Sequence, residues 1–384
     1  MRKHNPRGST PGVAVVLAGL ALLVAPAACR AAEQIRVLVL DNVNAVTIST
    51  PAPYSIRDAD SGKVLVSGTG LNARIWAQKK GINVGGRQSG SGRIVITPRE
   101  GAVITMNNRA YRGALQLSGR TGDLLVANLI DVEDYIKGIA VREISHYWPP
   151  EAIKANAVAF RTYALYRREH ASRSDYDVTA DVFSQSYGGR AAERYRITEA
   201  VDATRGEVLY YGGKILPAFY SSTCGGSTED ASRLWREANI PPLAGRRCDF
   251  CKDSPHLRWR SAVAKETIIA KLQKPGRTPN DIKSMAVASR TPSGRALAVR
   301  ITTDARAFTI AAQELRSLIG PDVVKSTNFA VFPSGKNFIF EGLGWGHGVG
   351  LCQWGAYSMA KEGKNYRQIL DYYYPGAELR KTSP

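Results

Sequence analysis

The chain has 384 residues, 44% of them apolar and 22% charged, with a formal net charge of +19. That apolar share allows a sizeable core and excludes a polar, disordered chain, and the length fits one large domain or two ordinary ones. The excess of cations points to an anionic polymer as partner, such as cell-wall glycan, a lipid surface or nucleic acid; a solvated basic surface is the plainer alternative.

Residues 1–32 read as an export signal. Arg2, Lys3 and Arg7 are basic, Val13 to Val24 is apolar and uncharged, and Ala27, Ala28, Ala31 and Ala32 offer small residues for cleavage. The apolar run is shorter than the about 20 residues of a membrane span. Cleavage is expected between Ala28 and Glu33. If Cys29 became the first residue it would permit a lipid anchor, although Pro26 fits a lipoprotein box poorly. Membrane contact is otherwise expected only if the signal stays uncleaved. Arg2, Lys3, Arg7 and Arg30 supply four of the nineteen net charges, so the chain without its leader carries +15. Export places the protein in the periplasm or cell envelope and argues against nucleic acid as partner.

Residues 33–128 form a β-rich region. Ile35–Leu40, Ala45–Ser49, Gly62–Ser67, Arg93–Thr97 and Leu124–Asn128 are rich in branched residues. Turn signals at Asp60 to Gly62, Gly85–Gly86 and Gly90 to Gly92 separate them. Residues 129–378 form the region expected to carry the site. Asp131 is placed to cap a helix running to about Ala140. A second helix starts at Pro150, where a missing N–H costs nothing, and runs to about Glu169. Ile153, Ala157, Phe160 and Ala164 make an apolar stripe along it. Further on, 206–211, 296–302 and 338–340 read as strands. Helices are expected at 265–273, 311–318, 357–361 and 366–374. The whole reads as α+β, a β-rich N-terminal part followed by a helix-containing region.

Glu143 falls between the first two helices, just before Trp148, Pro149 and Pro150. A carboxylate held at such a junction beside aromatic rings is partly desolvated, which raises its pKa and suits it to donate a proton. The plainer reading is a solvated surface charge, since unpaired carboxylates are seldom buried.

Five blocks in order make this chain resemble the stage II sporulation protein D and amidase-enhancer family. They are Asp131 to Ile139, Glu143 to Tyr163, Ser184 to Gly188, Ala218 to Gly226 and Gly344 to Ala356. The resemblance implies an exported protein working on peptidoglycan glycan strands, with a glycan-binding groove in the helix-containing region. Sporulation-type members are lytic transglycosylases acting on strands that have lost their stem peptides, and their catalytic acid matches Glu143. The enhancer-type members imply the alternative, a non-catalytic glycan binder that stimulates an N-acetylmuramoyl-L-alanine amidase, with a cell-wall amidase as partner. A third reading is a glycoside hydrolase with a second carboxylate. One dominant carboxylate suits the first: an intramolecular transfer that forms a 1,6-anhydromuramic end needs no activated water. Glu133, Asp134 and Glu151 lie nearby in sequence, and helix first turns account for Asp134 and Glu151.

The same blocks supply candidate substrate contacts in Arg161, Tyr163, Gln185, Tyr187, Ser221, Ser222, Thr223, His347 and Gln353. The family commonly has His where this chain has Ser221. His347 sits among glycines, and its alternative role is to hold that loop in place.

Cys224, Cys248, Cys251 and His256 form a second constellation. The two-residue spacing of Cys248 and Cys251 lets both thiolates reach one zinc, and Cys224 and His256 complete a tetrahedral structural site. A disulfide between Cys248 and Cys251 is the rival, because export leads to an oxidising compartment. No cofactor is needed for the chemistry itself. The zinc site of the best-known sporulation members lies in the segment matching Asp177 to Tyr187; this chain has Thr179 and Ser184 there and no cysteine, so that site is not carried over. Cys352 reads as a small packed residue of the last loop.

Overall fold

The computed structural model describes residues 1–2, 33–173, 175–181, 184–235, 239–272 and 280–382. The expected leader and Cys29 lie outside the described residues. No helix among those described is long and apolar enough to cross a membrane.

The fold is α+β, with strands dominating the first part. The strands are β1 (Gln34–Val43), β2 (Ala45–Asp58), β3 (Val64–Gln78), β4 (Gly81–Val84), β5 (Arg87–Gln88), β6 (Arg93–Pro98), β7 (Ile104–Met106), β8 (Arg109–Tyr111), β9 (Ala114–Gly119) and β10 (Leu124–Asp131). The backbone of the sheet runs β1-β10-β9-β6-β2-β3-β4-β5, with every neighbouring pair antiparallel. Alternation drives it: Val46 and Ile48 of β2 and Ile94 and Ile96 of β6 point into the core, while Thr47 and Thr97 face solvent. The strands from 104 to 119 were not read from the sequence. The turn between β7 and β8 places Asn107 and Asn108 at positive φ, 47° and 64°, as a two-residue hairpin turn requires. β9 is buried along nearly its whole length, so it lacks the alternation that marks a half-exposed strand.

β10 runs directly into α1 (Val132–Glu143). Asp131 ends the strand and caps the helix, its carboxylate accepting the Glu133 and Asp134 N–H groups at 2.9 and 3.4 Å. The helix extends three residues past the expected end near Ala140, so Glu143 is its last residue. α2 spans Pro150–Glu169, as the proline and apolar stripe predicted. It is buried on nearly all sides. Ile153, Ala157, Phe160 and Ala164 join the core of the β-sheet and α1. Ala155, Val158 and Ala159 face a second core. A helix buried on nearly every side belongs at the centre of a domain, and α2 is the wall between the two cores.

Short elements follow: β11 (Val178–Thr179), parallel to β1, then α3 (Tyr195–Ala203), β12 (Glu207–Tyr211), β13 (Lys214–Ile215) and β14 (Tyr220–Ser221). Beyond them β15 (Arg258–Ala264), α4 (Lys265–Leu272), β16 (Ile282–Arg290), β17 (Ala296–Thr303), β18 (Ala307–Ala311), α5 (Ala312–Ile319), β19 (Phe329–Ser334) and β20 (Asn337–Leu343) build a lobe around its own core, which includes Val299, Ile301, Phe338 and Phe340. The chain then returns as β21 (Leu351–Cys352), α6 (Gln353–Lys361), α7 (Tyr366–Tyr373) and β22 (Glu378–Lys381). β21 pairs in parallel with β14, bringing Ser221 opposite Cys352.

Candidate active site

Glu143 ends α1 next to residues that come from α1 itself, α2, β14 and the loop before α3. It is half-buried in surface area yet closely surrounded by protein. Its carboxylate accepts one hydrogen bond among the described residues, from the Ser186 N–H to Oε1 at 3.1 Å. Burial pushes the carboxyl up, and that N–H pulls it part of the way back. The phenol of Tyr135 is fully buried and donates to Gln185 Oε1 at 3.1 Å. Tyr220 lies close to the same Gln185 side chain, and the field of Glu143 reaches both phenols. Burial keeps the two rings neutral at ordinary pH.

From Tyr220 an aromatic path leads outward. Its ring centroid lies 4.6 Å from Phe160 and 6.0 Å from Tyr163. Tyr163 meets Phe219 at 5.8 Å, and Phe219 stacks on Trp235 at 4.3 Å with 21° between the planes. Trp235 is 37% exposed, so the path opens to solvent. His347 closes it with edge contacts to Trp235 and Phe219 at 5.5 and 6.0 Å. Its Nδ1 accepts the Val349 N–H at 3.0 Å, and burial pushes the ring down to about 3, so it is a neutral wall and no proton donor. Arg167 donates to the Tyr163 hydroxyl at 3.0 Å and makes no ion pair among the described residues.

The carboxylates near Glu143 in sequence are otherwise engaged. Glu133 is buried and holds Arg161 at 3.0 and 2.6 Å. Asp134 approaches Lys137 at 3.7 Å. Glu151 pairs with Lys154 and accepts the Tyr366 N–H.

Several of the expected substrate contacts have other work. Arg161 is fully buried; besides Glu133 it donates to the Glu207 and Val201 carbonyls at 3.1 and 3.2 Å. It fastens α1 to α2 and β12, and no face is left for a sugar. Tyr187 lies under α1, its hydroxyl donating to Asn128 Oδ1 at 2.7 Å. Gly138 is bare because a Cβ there would come within 2.6 Å of the Tyr187 ring. Gln185 is 1% exposed and spends its amide on Tyr135 and the Phe160 carbonyl, so it positions rings rather than ligand. Thr223 is fully buried against Ser254 Oγ at 2.6 Å. Tyr163, Ser222 and His347 keep partial exposure. Ser221 Oγ and Gln353 Nε2 are buried with no hydrogen-bond partner among the described residues. Phe219, Tyr220 and Trp235 were not singled out by sequence. The first two lie in the Ala218 to Gly226 block, which was the available signal, and Trp235 became relevant only through its stacking.

The cysteines are arranged differently from expectation. The Sγ atoms of Cys224, Cys248, Cys251 and Cys352 all lie within 4.8 Å of one another, each residue buried and none in a disulfide. His256 is not among them: its ring packs edge-on against Trp345 at 4.5 Å, and burial lowers its pKa. Cys352 stands in its place, brought there by the β14–β21 pairing from 128 residues beyond Cys224. The segment from Asp177 to Tyr187 is held without thiols, by Asp177 against Arg36 and by Thr179 Oγ1 on Ser184 Oγ at 3.0 Å.

Comparison with known proteins agrees with this architecture. Residues 120–211, which include α1, Glu143 and α2, match the family described as stage II sporulation protein. Residues 231–350 match a domain family of unknown function. An uncharacterized protein of Brachyspira hyodysenteriae is 31% identical over 90% of this chain and 92% of its own length. The amidase enhancer of Bacillus subtilis is 28% identical over 64% of this chain, which spans only 40% of that longer protein. Stage II sporulation protein D of Bacillus amyloliquefaciens is 30% identical over 68% of this chain and 78% of its own length. With Glu143 and the helices that frame it inside the matched region, the chain belongs to the stage II sporulation protein D family.

Proposed function

We propose that this protein is an exported lytic transglycosylase that cleaves peptidoglycan glycan strands lacking stem peptides, with Glu143 as both acid and base. The observation that carries the reading is the isolation of Glu143. Its carboxyl is raised by burial, no other carboxylate among the described residues contributes to its shift, and its neighbours include the neutral phenols of Tyr135 and Tyr220. A glycosidase that activates water uses a second carboxylate across the bond. A transfer to the sugar's own hydroxyl dispenses with it.

The protonated Glu143 gives its proton to the glycosidic oxygen as the C1–O bond breaks. The muramic C6 hydroxyl attacks C1 and closes the 1,6-anhydro ring. The Glu143 carboxylate takes the C6 hydroxyl proton and is restored, and no water is consumed. The path from Tyr220 through Tyr163 and Phe219 to Trp235 offers stacking faces for successive sugars. Arg167 offers a cation to the lactyl carboxylate that muramic acid bears once its peptide is gone.

Incubation of the purified protein with denuded glycan strands, followed by mass spectrometry, is expected to yield anhydromuramic ends. Glu143→Gln should lower their formation by about 10²-fold or more, the usual worth of a general acid. Reducing ends without the anhydro ring would identify a hydrolase instead. Glycan binding and amidase stimulation that survive Glu143→Gln, with no product from either protein, would favour the enhancer reading suggested by the relative from Bacillus subtilis.

A further inference from the structure

The four buried thiols lie outside the chemistry of Glu143, and their geometry makes a separate demand. A tetrahedral zinc site with Zn–S bonds of about 2.3 Å places its sulfurs about 3.8 Å apart. Here Cys224 and Cys251 Sγ are 3.6 Å apart, and all four sulfurs fall within 4.8 Å of one another. We propose that Cys224, Cys248, Cys251 and Cys352 bind one structural zinc ion that ties β14, the 248–251 turn and the start of α6 together.

The surroundings suit four thiolates around a divalent cation, a centre of net charge −2. Cys352 caps α6, and its Sγ accepts the Gly355 and Cys224 N–H groups at 3.4 and 3.3 Å. That puts one sulfur at the positive end of a nine-residue helix. The Tyr373 hydroxyl sits 3.2 Å from Cys248 Sγ. Arg295 supplies the strongest argument. It is 1% exposed and makes no ion pair among the described residues; its Nη2 donates to the Cys224 carbonyl at 2.7 Å and its Nη1 to the Gly346 carbonyl at 3.3 Å. The buried Glu229 carboxylate lies within its field but is bonded to Thr291 and Ser293 instead, and a buried guanidinium without a directly paired counter-ion is costly. A −2 centre behind the Cys224 carbonyl adds to the negative charge that Glu229 supplies, which four neutral thiols do not. Gly348 makes room for this cation, since a Cβ there would fall within 2.1 Å of Arg295 Nη2.

Zinc binding replaces four thiol protons by one cation and involves no redox step. All four positions are taken by protein, so no site remains for water and the ion plays no part in the cleavage. Its role is to hold β14 against β21, the pair that carries Tyr220 toward Glu143.

The test uses the full chain purified without chelator. Elemental analysis should give one zinc per chain, and the protein should be colourless. Cobalt substitution should give the intense visible bands of a tetrahedral thiolate site. Cys352→Ser should weaken zinc binding by about 100-fold or more in competition with a chromophoric chelator, beyond the loss seen for outer-shell changes. His256→Ala should leave it unchanged. A zinc-free protein whose non-reducing peptide map joins any two of these cysteines overturns the proposal. So does a coloured, iron-loaded protein, because iron also accepts four thiolates. Loss of metal in His256→Ala with retention in Cys352→Ser would overturn the ligand set. If Cys352→Ser fails to fold, metal content and peptide mapping of the unaltered chain decide the matter alone. None of these readouts depends on glycan cleavage.

Discussion

Glu143 shows how one residue's environment sets both a chemical and a stability property. Burial raises its carboxyl above the ordinary Glu range, whereas in the unfolded chain it titrates near the usual value of about 4.3. The folded state therefore holds the proton to higher pH. The stability that proton contributes is complete below the unfolded value and is lost as pH rises through the folded one. Glu143→Gln is neutral at every pH and keeps an acceptor for the Ser186 N–H. Thermal melts should show the variant gaining on the native protein at neutral pH, with the gain vanishing well below the ordinary Glu value. A difference that grew on acidification would contradict a raised carboxyl. The same shift predicts that kcat/KM for strand cleavage falls as pH rises through the folded value, because the donor must be protonated. Much of this was legible in sequence. Asp131, the Pro149–Pro150 pair and the apolar stripe of α2 lie close along the chain and act locally, so they locate Glu143 without tertiary information. The phenols of Tyr135 and Tyr220, 85 residues apart in number, surround it only after folding.

At the scale of elements, α2 is the part on which the site depends. One flank joins the core of the large sheet and the other packs over the thiol cluster. Arg161 pins it to α1 through Glu133, with both side chains almost fully buried. Removing one member of such a pair strands the other charge and typically costs about 3–5 kcal/mol. Arg161→Met should therefore lower the unfolding free energy read from urea melts by that amount, and adding Glu133→Gln should recover much of the loss. If Arg161→Met unfolds like the native chain but binds glycan poorly, Arg161 is a substrate ligand after all. Sequence placed Arg161 in the groove because it belongs to a block with other family residues. Chain position cannot distinguish an arginine that faces a groove from one that faces a buried glutamate 28 residues earlier. Tyr187 and Thr223 were misplaced for the same reason: each is polar and near a glycine turn, and each finds its partner inside the protein.

At the scale of the whole molecule, the basic balance of the chain bears on its polymeric partner. The net charge of +19, or +15 without the leader, should attract strands whose lactyl groups are exposed. Raising salt from about 0.1 M to 1 M shortens the screening length from about 10 to about 3 Å. Binding of denuded strands to the Glu143→Gln protein should weaken on the order of tenfold over that range, equivalent to about 1.4 kcal/mol. An uncharged chitin oligosaccharide should show little change. Equal salt sensitivity for both ligands would remove the charge argument. The sequence by itself determined the α+β class, most of the longer strands and helices, the family and the position of Glu143, because hydrophobic period, caps and prolines act over a few residues. Tertiary structure alone decided which polar side chains face a partner within the protein, which rings line the path from Glu143 to solvent, and that Cys352 takes the place assigned to His256. Those are contacts between distant segments, and the parallel pairing of β14 with β21 that makes the last of them leaves no periodic trace in the chain.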